Sequence, residues 1–469
     1  MLNAMQLSDM EQTLVKHVAA GTIFDLAHGA ADDAIDAAVM GSWDAQHGIR
    51  AEVIRDILRG RHLPDGGADP HGLQLRGARI IGRLDLAHLI SPIRLSLKSC
   101  HLPDGVGGEG CQIPDLDLSR SVVDVTDQYA SDGAVRLLGA QISGQLSLRG
   151  AILTSETGPA LYADGVSVGG DMFLDGKFTA TGHGERGAVR LVGAQISGQL
   201  NLRGAILTNE TGPALHADRV RVGSGMFLDG KFTATGHGER GAVRLLGAQI
   251  TGGLWVDDET VGRAIDGTGW GIDGLTYDWH PTVGHPTVSF RRWLDFLRYG
   301  TLDYAAQPYQ QLAAVARAAG HDADARRALM AQRDHQVKRG MLTRRAKAWA
   351  RFTKLTLGYG YQPWRALIGV AGIVLIAILV TFFVPGALAV VTTSTTHELI
   401  STPCTSIQTF QIAVDMTIPL VSTGAGSACR LTSTVGGQAV GWIGVFLTLA
   451  GWALTALFAA GFTRAIRQP

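Results

Sequence analysis

Short runs of alternating apolar and polar residues recur through the middle of the chain. Val135–Leu137 and Leu146–Leu148 place apolar side chains at every second position, which is the period of a β-strand. Glycines such as Gly139 and Gly144 separate these runs and permit sharp bends. The pattern predicts a series of short strands joined by tight turns.

The strand pattern belongs to an internal repeat. Residues 133–186 recur as residues 187–240 with eight differences, and each copy divides into two half-repeats whose glycines align. An earlier half-repeat begins at Gly72. Since a single coil cannot bury its apolar side, stacked coils must share one core. We therefore expect a right-handed parallel β-helix, that is, a β-solenoid, over residues 71–260.

Helical patterns flank the predicted solenoid. Ser8 and Glu11 have the spacing of a capping box and predict an N-terminal helical cap within residues 1–70. After the solenoid, Tyr309–Ala319 and Ala323–Lys338 predict a helical hairpin interrupted at Gly320. We assign residues 261–362 to a helical connector that ends in a basic juxtamembrane segment.

Two uncharged stretches follow. Ala366–Val384 and Ala439–Phe462 are each long enough to cross about 30 Å of hydrocarbon. They predict a two-span membrane domain over residues 363–469, with an outer loop at 385–435. Residues 333–365 contain nine Lys or Arg and one acid, whereas the loop has one basic residue, Arg430. The positive-inside rule then places both termini and the β-helix in the cytosol, at the plasma (inner) membrane.

Charge and cysteine content add to this description. The 41 basic and 41 acidic residues cancel, so no nucleic-acid partner is indicated. The basic juxtamembrane run suits anionic lipid headgroups. Cys404 and Cys429 both fall in the predicted outer loop, where an oxidising compartment favours a disulfide. Cys100 and Cys111 lie in the predicted solenoid and are expected to be buried thiols.

Several segments resemble known proteins. The LRGAxIxGxLxL pattern is similar to pentapeptide-repeat and bactofilin-like β-helices. Three further segments, RGARIxGRLDL (Arg76–Leu86), QPYxQLAxVxRxAGHDxDAR (Gln307–Arg326) and GYGYxPWRA (Gly358–Ala366), resemble actinobacterial two-span proteins that carry the label membrane-associated oxidoreductase. The resemblance implies an oxidoreductase. The residues themselves show no CxxC and no GxGxxG between a strand and a helix, so we expect no catalytic residues, cofactor or metal.

The predicted outer loop contains the candidate site residues. Ser406–Ile418 is amphipathic and too short to span, so it is either a re-entrant helix or a helix on the membrane surface. Asp415 within it and Pro419 just after it are candidate pore or re-entrant residues, since acids near the bilayer are often functional. Asp415 is otherwise a solvated surface acid. Gly437 and Gly441 form a GxxxG at the start of the second span, for packing between the two spans or between subunits.

Three functions are compatible with the sequence. The leading hypothesis is a non-enzymatic membrane-anchored scaffold, whose cytosolic β-helix binds an unknown protein partner or self-associates into a homo-oligomer. The alternative is an oligomeric channel-like pore, built from a span, a re-entrant helix and a span, and gated by the β-helix. The third is the oxidoreductase that the resemblance implies.

Overall fold

The computed structural model describes residues 6–28, 30, 35, 37–43, 47–125, 132–237, 241–267, 269–280, 287–339, 343–362, 364–384, 386–393, 399–418, 423–424 and 429–467. The chain forms two compact units, Met1–Gln332 and Arg333–Pro469. The boundary between them falls inside the segment predicted as a helical connector.

The first unit is a β-solenoid of about eight coils, which confirms the architecture expected from the repeat. A complete coil carries four short strands, as in Val135–Arg136, Gln141–Ile142, Leu146–Ser147 and Ile152–Ser155. Strands at the same place in successive coils pair in parallel and form four ladders, which we call sides 1 to 4 in the order in which a coil crosses them. The two half-repeats of each sequence repeat are two successive coils, because Leu146 pairs with Met172 and Met172 with Leu200.

Sides 1 and 2 consist almost entirely of two-residue strands. Side 1 contains Leu84–Asp85, Val106–Gly107, Val135–Arg136, Leu161–Tyr162, Val189–Arg190, Leu215–His216, Val243–Arg244 and Trp270–Gly271. Side 2 contains Gln112–Ile113, Gln141–Ile142, Ser167–Val168, Gln195–Ile196, Arg221–Val222, the start of Gln249–Val256, and Thr276–Trp279.

Sides 3 and 4 complete each coil. Side 3 contains Phe24–Asp25, Leu73–Arg76, Leu95–Lys98, Leu116–Asp117, Leu146–Ser147, Met172–Phe173, Leu200–Asn201, Met226–Leu228 and the end of Gln249–Val256. Side 4 contains Val122–Val125, Ile152–Ser155, Thr179–Gly182, Ile206–Asn209 and Thr233–Gly236, and Gly48–Arg50 pairs separately with Arg79–Ile81.

The alternation seen in the sequence sorts side chains between the core and the surface. Leu146, Met172, Leu200 and Met226 stack inside the solenoid on side 3 and are fully buried. Stacked side chains of this kind form one apolar core that continues from coil to coil. Two glycines show different constraints: Gly139 turns the chain at φ +61° with open space around it, whereas a Cβ at Gly169 would collide with the carbonyl oxygen of Ser143 in the preceding coil.

Among the described residues up to 339, seven α-helices accompany the strands. They are α1 (Asp9–Ala20), α2 (Ala37–Met40), α3 (Ala51–Leu58), α4 (Asp258–Asp266), α5 (Phe290–Tyr299), α6 (Gln307–Ala318) and α7 (Asp322–Arg339). The capping box predicted at Ser8 and Glu11 is present at the start of α1. Leu14 and Val18 of α1 are fully buried in the same apolar cluster as the solenoid core. Gly320, in the left-handed conformation, separates α6 from α7.

A buried ion pair fixes α1 to the start of the solenoid unit. Glu11 is 1% exposed and accepts hydrogen bonds from Arg50 Nε at 2.8 Å and from Arg50 Nη2 at 2.6 Å. Burial alone would raise the pKa of Glu11, but the hydrogen bonds from Arg50 and from the Ser8 backbone outweigh it and lower that pKa to about 2. The carboxylate is therefore ionised at neutral pH.

The second unit contains the remaining helices. They are α8 (Arg344–Leu357), α9 (Trp364–Phe383), α10 (Ser406–Asp415) and α11 (Val435–Arg467). A three-residue 3₁₀ turn, Gly358–Gly360, follows α8. Between α9 and α11 the chain also forms a three-stranded antiparallel sheet of Leu388–Thr393, Leu399–Pro403 and Arg430–Leu431, which the sequence analysis did not predict.

Candidate functional site

Two helices of the second unit are long and apolar enough to cross a membrane. They are α9, over Trp364–Phe383, and the first 26 residues of α11, over Val435–Ala460. Large apolar side chains on both helices face outward, among them Phe383 at 78% and Trp442 at 71% exposure. Water disfavours such surfaces, whereas lipid tails accommodate them. The two predicted spans are thus present as helices of the required length and composition.

The two helices pack against each other in opposite directions. At one end, a Cβ on Gly369 of α9 would lie 3.0 Å from Leu454 Cδ1 of α11. At the other end, Thr432 Oγ1, just before α11, donates a hydrogen bond of 2.7 Å to the carbonyl of Gly386, just after α9. Residues 384–434, which we call the inter-span segment, therefore begin and end on the same side of the helix pair.

A disulfide and a small apolar cluster organise the described part of the inter-span segment. Cys404 and Cys429 are bonded, with Cα atoms 6.1 Å apart. Cys429 packs with Leu388 of the antiparallel sheet and Ile412 of α10, and all three are buried. The bond joins Cys404, two residues before α10, to Cys429, which directly precedes the strand Arg430–Leu431. It thereby fixes where α10 begins.

Helix α10 starts at a well-formed cap and packs against α9. Thr405 Oγ1 accepts from the Gln408 backbone, and the Gln408 side chain accepts in return from the Thr405 backbone, so the capping box is complete. Ile412 and Ala413 are buried, whereas Ile407 near the start is 72% exposed. The helix therefore becomes more enclosed from its first turn to its last.

The end of α10 lies beside the middle of α11. Thr448 Oγ1 donates a hydrogen bond of 2.6 Å to the carbonyl oxygen of Met416, the residue after α10. One turn earlier in α11, a Cβ on Gly444 would be 3.2 Å from Met416 Sδ. Because Gly444 has no side chain, the turn after α10 can approach the backbone of α11 closely.

The rise of an α-helix gives the position of this contact along the helix pair. Thr448 precedes Leu454 by six residues, about 9 Å along the axis at the rise of an α-helix. Gly369, which faces Leu454, is the sixth of 20 residues in α9, so the middle of α9 lies about 7 Å from it in the same direction. Met416 is therefore level with the middle of the first candidate span, to within roughly one helical turn.

Asp415, the predicted pore candidate, connects α10 to the returning chain. Its carboxylate accepts a hydrogen bond from the Thr423 backbone N–H at 2.7 Å and another from Thr423 Oγ1 at 2.9 Å. Charge-assisted bonds of this kind are the stronger class of hydrogen bond. Asp415 therefore positions Thr423, eight residues on in sequence. Pro419, the second candidate, lies outside the described residues.

The GxxxG at the start of α11 contacts its own chain. A Cβ on Gly437 would collide with the carbonyl oxygen of Thr432, and a Cβ on Gly441 would lie 3.5 Å from Leu431 Cδ1. The close approaches between different helices involve Gly369 and Gly444 instead. Packing of Gly437 and Gly441 against another span or another subunit stays a prediction.

The basic segment before the first span contains one acid, and its carboxylate accepts two hydrogen bonds. Asp334 accepts from Lys354 Nζ at 2.7 Å and from the Tyr359 hydroxyl at 2.7 Å. Trp349 and Leu355 on α8 are exposed at 62% and 79%. An amphipathic helix with basic and exposed apolar residues is typical of a membrane interface.

Two residues of α11 receive the end of α10, and sequence reasoning missed one of them, Thr448. The other, Gly444, is a small residue of the second span, a type that permits close helix contact. A small residue followed four positions later by a hydroxyl residue, within an apolar helix, is the available signal. Among the described residues there is no group of three or more His, Cys, Asp or Glu side chains placed to hold a metal ion. Comparison of the chain with family models, with curated proteins and with solved structures finds no match.

Proposed function

We propose that the chain is a two-span integral membrane protein whose inter-span segment re-enters the bilayer and lines a pore in a homo-oligomer. The observation that supports this most strongly is the hydrogen bond from Thr448 in the middle of α11 to Met416 at the end of α10. A helix lying on the membrane surface would not reach that level. The pore was the alternative to the scaffold in the sequence analysis, and the contacts of α10 now favour it.

The length of α10 fits a half-membrane helix. Its ten residues rise about 15 Å, which is half of a hydrocarbon layer roughly 30 Å thick. The helix starts beside the disulfide and the antiparallel sheet, near the ends of both candidate spans, and ends near their middle. A short helix followed by a returning chain is the arrangement of two-span pore proteins.

The polar backbone at that depth favours an oligomer. Non-helical backbone is tolerated at membrane depth only where protein buries it or where it borders water. The turn after α10 and the Asp415–Thr423 hydrogen bonds are such polar groups. Two spans and one short helix cannot enclose a water path alone. Several copies around an axis would shield these groups and border a path with them.

The orientation and the remaining architecture form part of the same proposal. The solenoid then lies in the cytosol at the inner membrane, which the nine basic residues of segment 333–365 support, and the Cys404–Cys429 disulfide lies on the oxidising side. The basic segment contacts anionic lipids. The solenoid is right-handed, with α1 to α3 as its N-terminal cap and α6 and α7 as a hairpin.

Single-channel recording in planar bilayers tests the pore. Asp415→Asn removes the charge and weakens the hold on Thr423, so we expect discrete conductance in the wild type and a changed conductance or open time in the variant. Asp65→Asn, an acid-to-amide change at an exposed residue of the first unit, serves as the control and should conduct like the wild type. A silent bilayer with folded, oligomeric wild-type protein would contradict the pore.

One feature of the solenoid favours a scaffold as the second candidate. Side 4 presents outward residues that are uncharged over four successive coils, namely Ile152, Thr154, Thr179, Thr181, Ile206, Thr208, Thr233 and Thr235. Their strands pair without register shifts, so the surface is regular. A charge-free, regular surface suits self-association or a cytosolic partner. Loss of oligomers in Thr181→Lys/Thr208→Lys protein, measured by light scattering, would support this role, and unchanged oligomers would refute self-association there.

A further inference from the structure

A column of outward side chains runs along side 1 of the solenoid. Strand pairing places the members in one line, one from each of the last six coils: Arg136, Tyr162, Arg190, His216, Arg244 and Gly271. The last coil thus contributes a residue without a side chain. The column ends in an opening next to Arg244.

Within the column, cationic and aromatic side chains alternate. The Tyr162 ring lies between two guanidinium groups, with its centroid 5.2 Å from Arg136 Cζ and 5.6 Å from Arg190 Cζ. Arg136 is also paired with Glu109, and Arg190 with Asp164. Each of the two guanidinium groups therefore contacts both a carboxylate and the face of the Tyr162 ring. Such cation–π contacts are favourable in partly buried surroundings.

In the described part of the chain, Arg244 has a carboxylate partner, but no aromatic side chain follows it in the column. Its Nη2 donates to Asp218 Oδ2 at 2.6 Å. Burial alone would raise the pKa of Asp218, but hydrogen bonds from His216 and Arg244 outweigh it and lower that pKa to about 2. Asp218 is therefore ionised and neutralises Arg244. Where the next side chain of the column would stand, there is only Gly271.

A cavity of about 340 Å³ lies at this position. Its lining includes Arg244, Gly271 and the buried side chains of Trp270, Leu297 and Tyr309. The volume is that of a small-ligand site, and aromatic and aliphatic walls suit a flat apolar group. A Cβ built on Gly271 would lie 3.4 Å from Leu246 Cδ2, which is an ordinary contact. An aromatic ring can therefore occupy the space next to Gly271.

The exposed part of the lining is acidic. Asp273 and Asp303 are both exposed lining residues, whereas the guanidinium of Arg244 is already neutralised by Asp218. The charge that remains at the opening is therefore negative. A positive or hydrogen-donating group is favoured there over a carboxylate or phosphate.

We propose that this cavity binds a small planar aromatic amine. Its ring stacks on the Arg244 guanidinium, as Tyr162 stacks on Arg136 and Arg190 inside the column, and its ammonium group faces Asp273 and Asp303. The inference goes beyond the proposed pore and is independent of it, because all of these residues belong to the first unit.

Calorimetric titration of the full-length protein in amphipol tests the site with three probes. Tryptamine has the planar ring and the amine, indole-3-propionate has the ring with a carboxylate, and 2-cyclohexylethylamine has the amine without a planar ring. We expect tryptamine to bind at least about tenfold more tightly than either of the others. Equal or weaker binding of tryptamine would overturn the proposal.

Variants separate the cavity from other causes of binding. Gly271→Tyr continues the column, and since Gly271 is not in the left-handed conformation, we expect a folded protein with at least about tenfold weaker tryptamine binding. Asp273→Asn/Asp303→Asn should weaken tryptamine similarly without filling the cavity. Asp266→Asn, at an exposed residue outside the lining, should bind as the wild type does. Undiminished binding in both cavity variants would refute the assignment.

Discussion

Replacing Thr448 by valine removes one hydroxyl from the middle of α11 and keeps the shape of the side chain. In the native protein that hydroxyl donates to the Met416 carbonyl at 2.6 Å and to the Gly444 carbonyl of its own helix at 2.8 Å. Only the first bond holds the turn after α10 against the span. Interhelical hydrogen bonds in membranes contribute about 1 kcal/mol. The free energy needed to open the turn after α10 should therefore fall by about 1 kcal/mol in the variant.

The change can be measured as the opening of the turn. A cysteine at Ile418, which is partly buried two residues after Met416, reacts with a small neutral maleimide only when the turn opens. The native Cys404 and Cys429 are bonded, and Cys100 and Cys111 are buried. A loss of about 1 kcal/mol corresponds to a roughly fivefold faster reaction when opening and closing are fast.

A matched variant is available in the other span. Thr381 Oγ1 donates to carbonyls of its own helix, Ala377 at 2.8 Å and Ile378 at 3.0 Å, so Thr381→Val removes from a candidate span a hydroxyl whose two bonds lie within α9. We expect its labelling rate to equal that of the parent. Equal rates in the Thr448 variant and the parent, or the same acceleration in both variants, would refute the reasoning.

Three further predictions concern other parts of the chain. Cys404→Ser/Cys429→Ser opens a link across 25 residues and should lower the free energy of unfolding of the second unit by about 3 kcal/mol, measured by chemical denaturation. Glu11 has a folded pKa below its usual 4.5, so its contribution of roughly 3 kcal/mol is present above pH 4.5 and is lost as pH falls towards 2; Glu11→Gln should lack this part of the acid dependence. Gly169→Ala should destabilise the solenoid by about 3 kcal/mol or more through its collision with the preceding coil, whereas Gly139→Ala, with open space at a positive φ, should cost about 1 kcal/mol in the same thermal-unfolding assay.

The solenoid was predictable because its physical causes are local and repeated. Alternation sends Val135 and Leu137 inward, and the aligned glycines fix where each coil turns, so the pairing of one half-repeat with the next follows. The two candidate spans were predictable because their signal is also local: an apolar stretch of sufficient length without charge is enough to indicate one.

The candidate site was predictable only in part. The amphipathic pattern of α10 indicates a helix but not whether lipid, water or another helix covers its apolar positions. The contact that decides this joins Met416 to Thr448, 32 residues away, and neither residue belongs to a repeating pattern. The sheet that includes Leu388–Thr393 was missed, although its run of β-branched residues favours a strand.

The depth of α10 in the bilayer is the most direct test of the account. Spin labels on Ile407→Cys and Ile418→Cys, at the two ends of the α10 segment, can be compared by their accessibility to oxygen and to a water-soluble nickel complex in lipid bilayers. The re-entrant arrangement predicts that the label at 418 lies about 10–15 Å deeper than the label at 407, close to the bilayer middle. Equal depths for the two labels, both near the headgroups, would show a helix on the membrane surface and contradict the proposed pore.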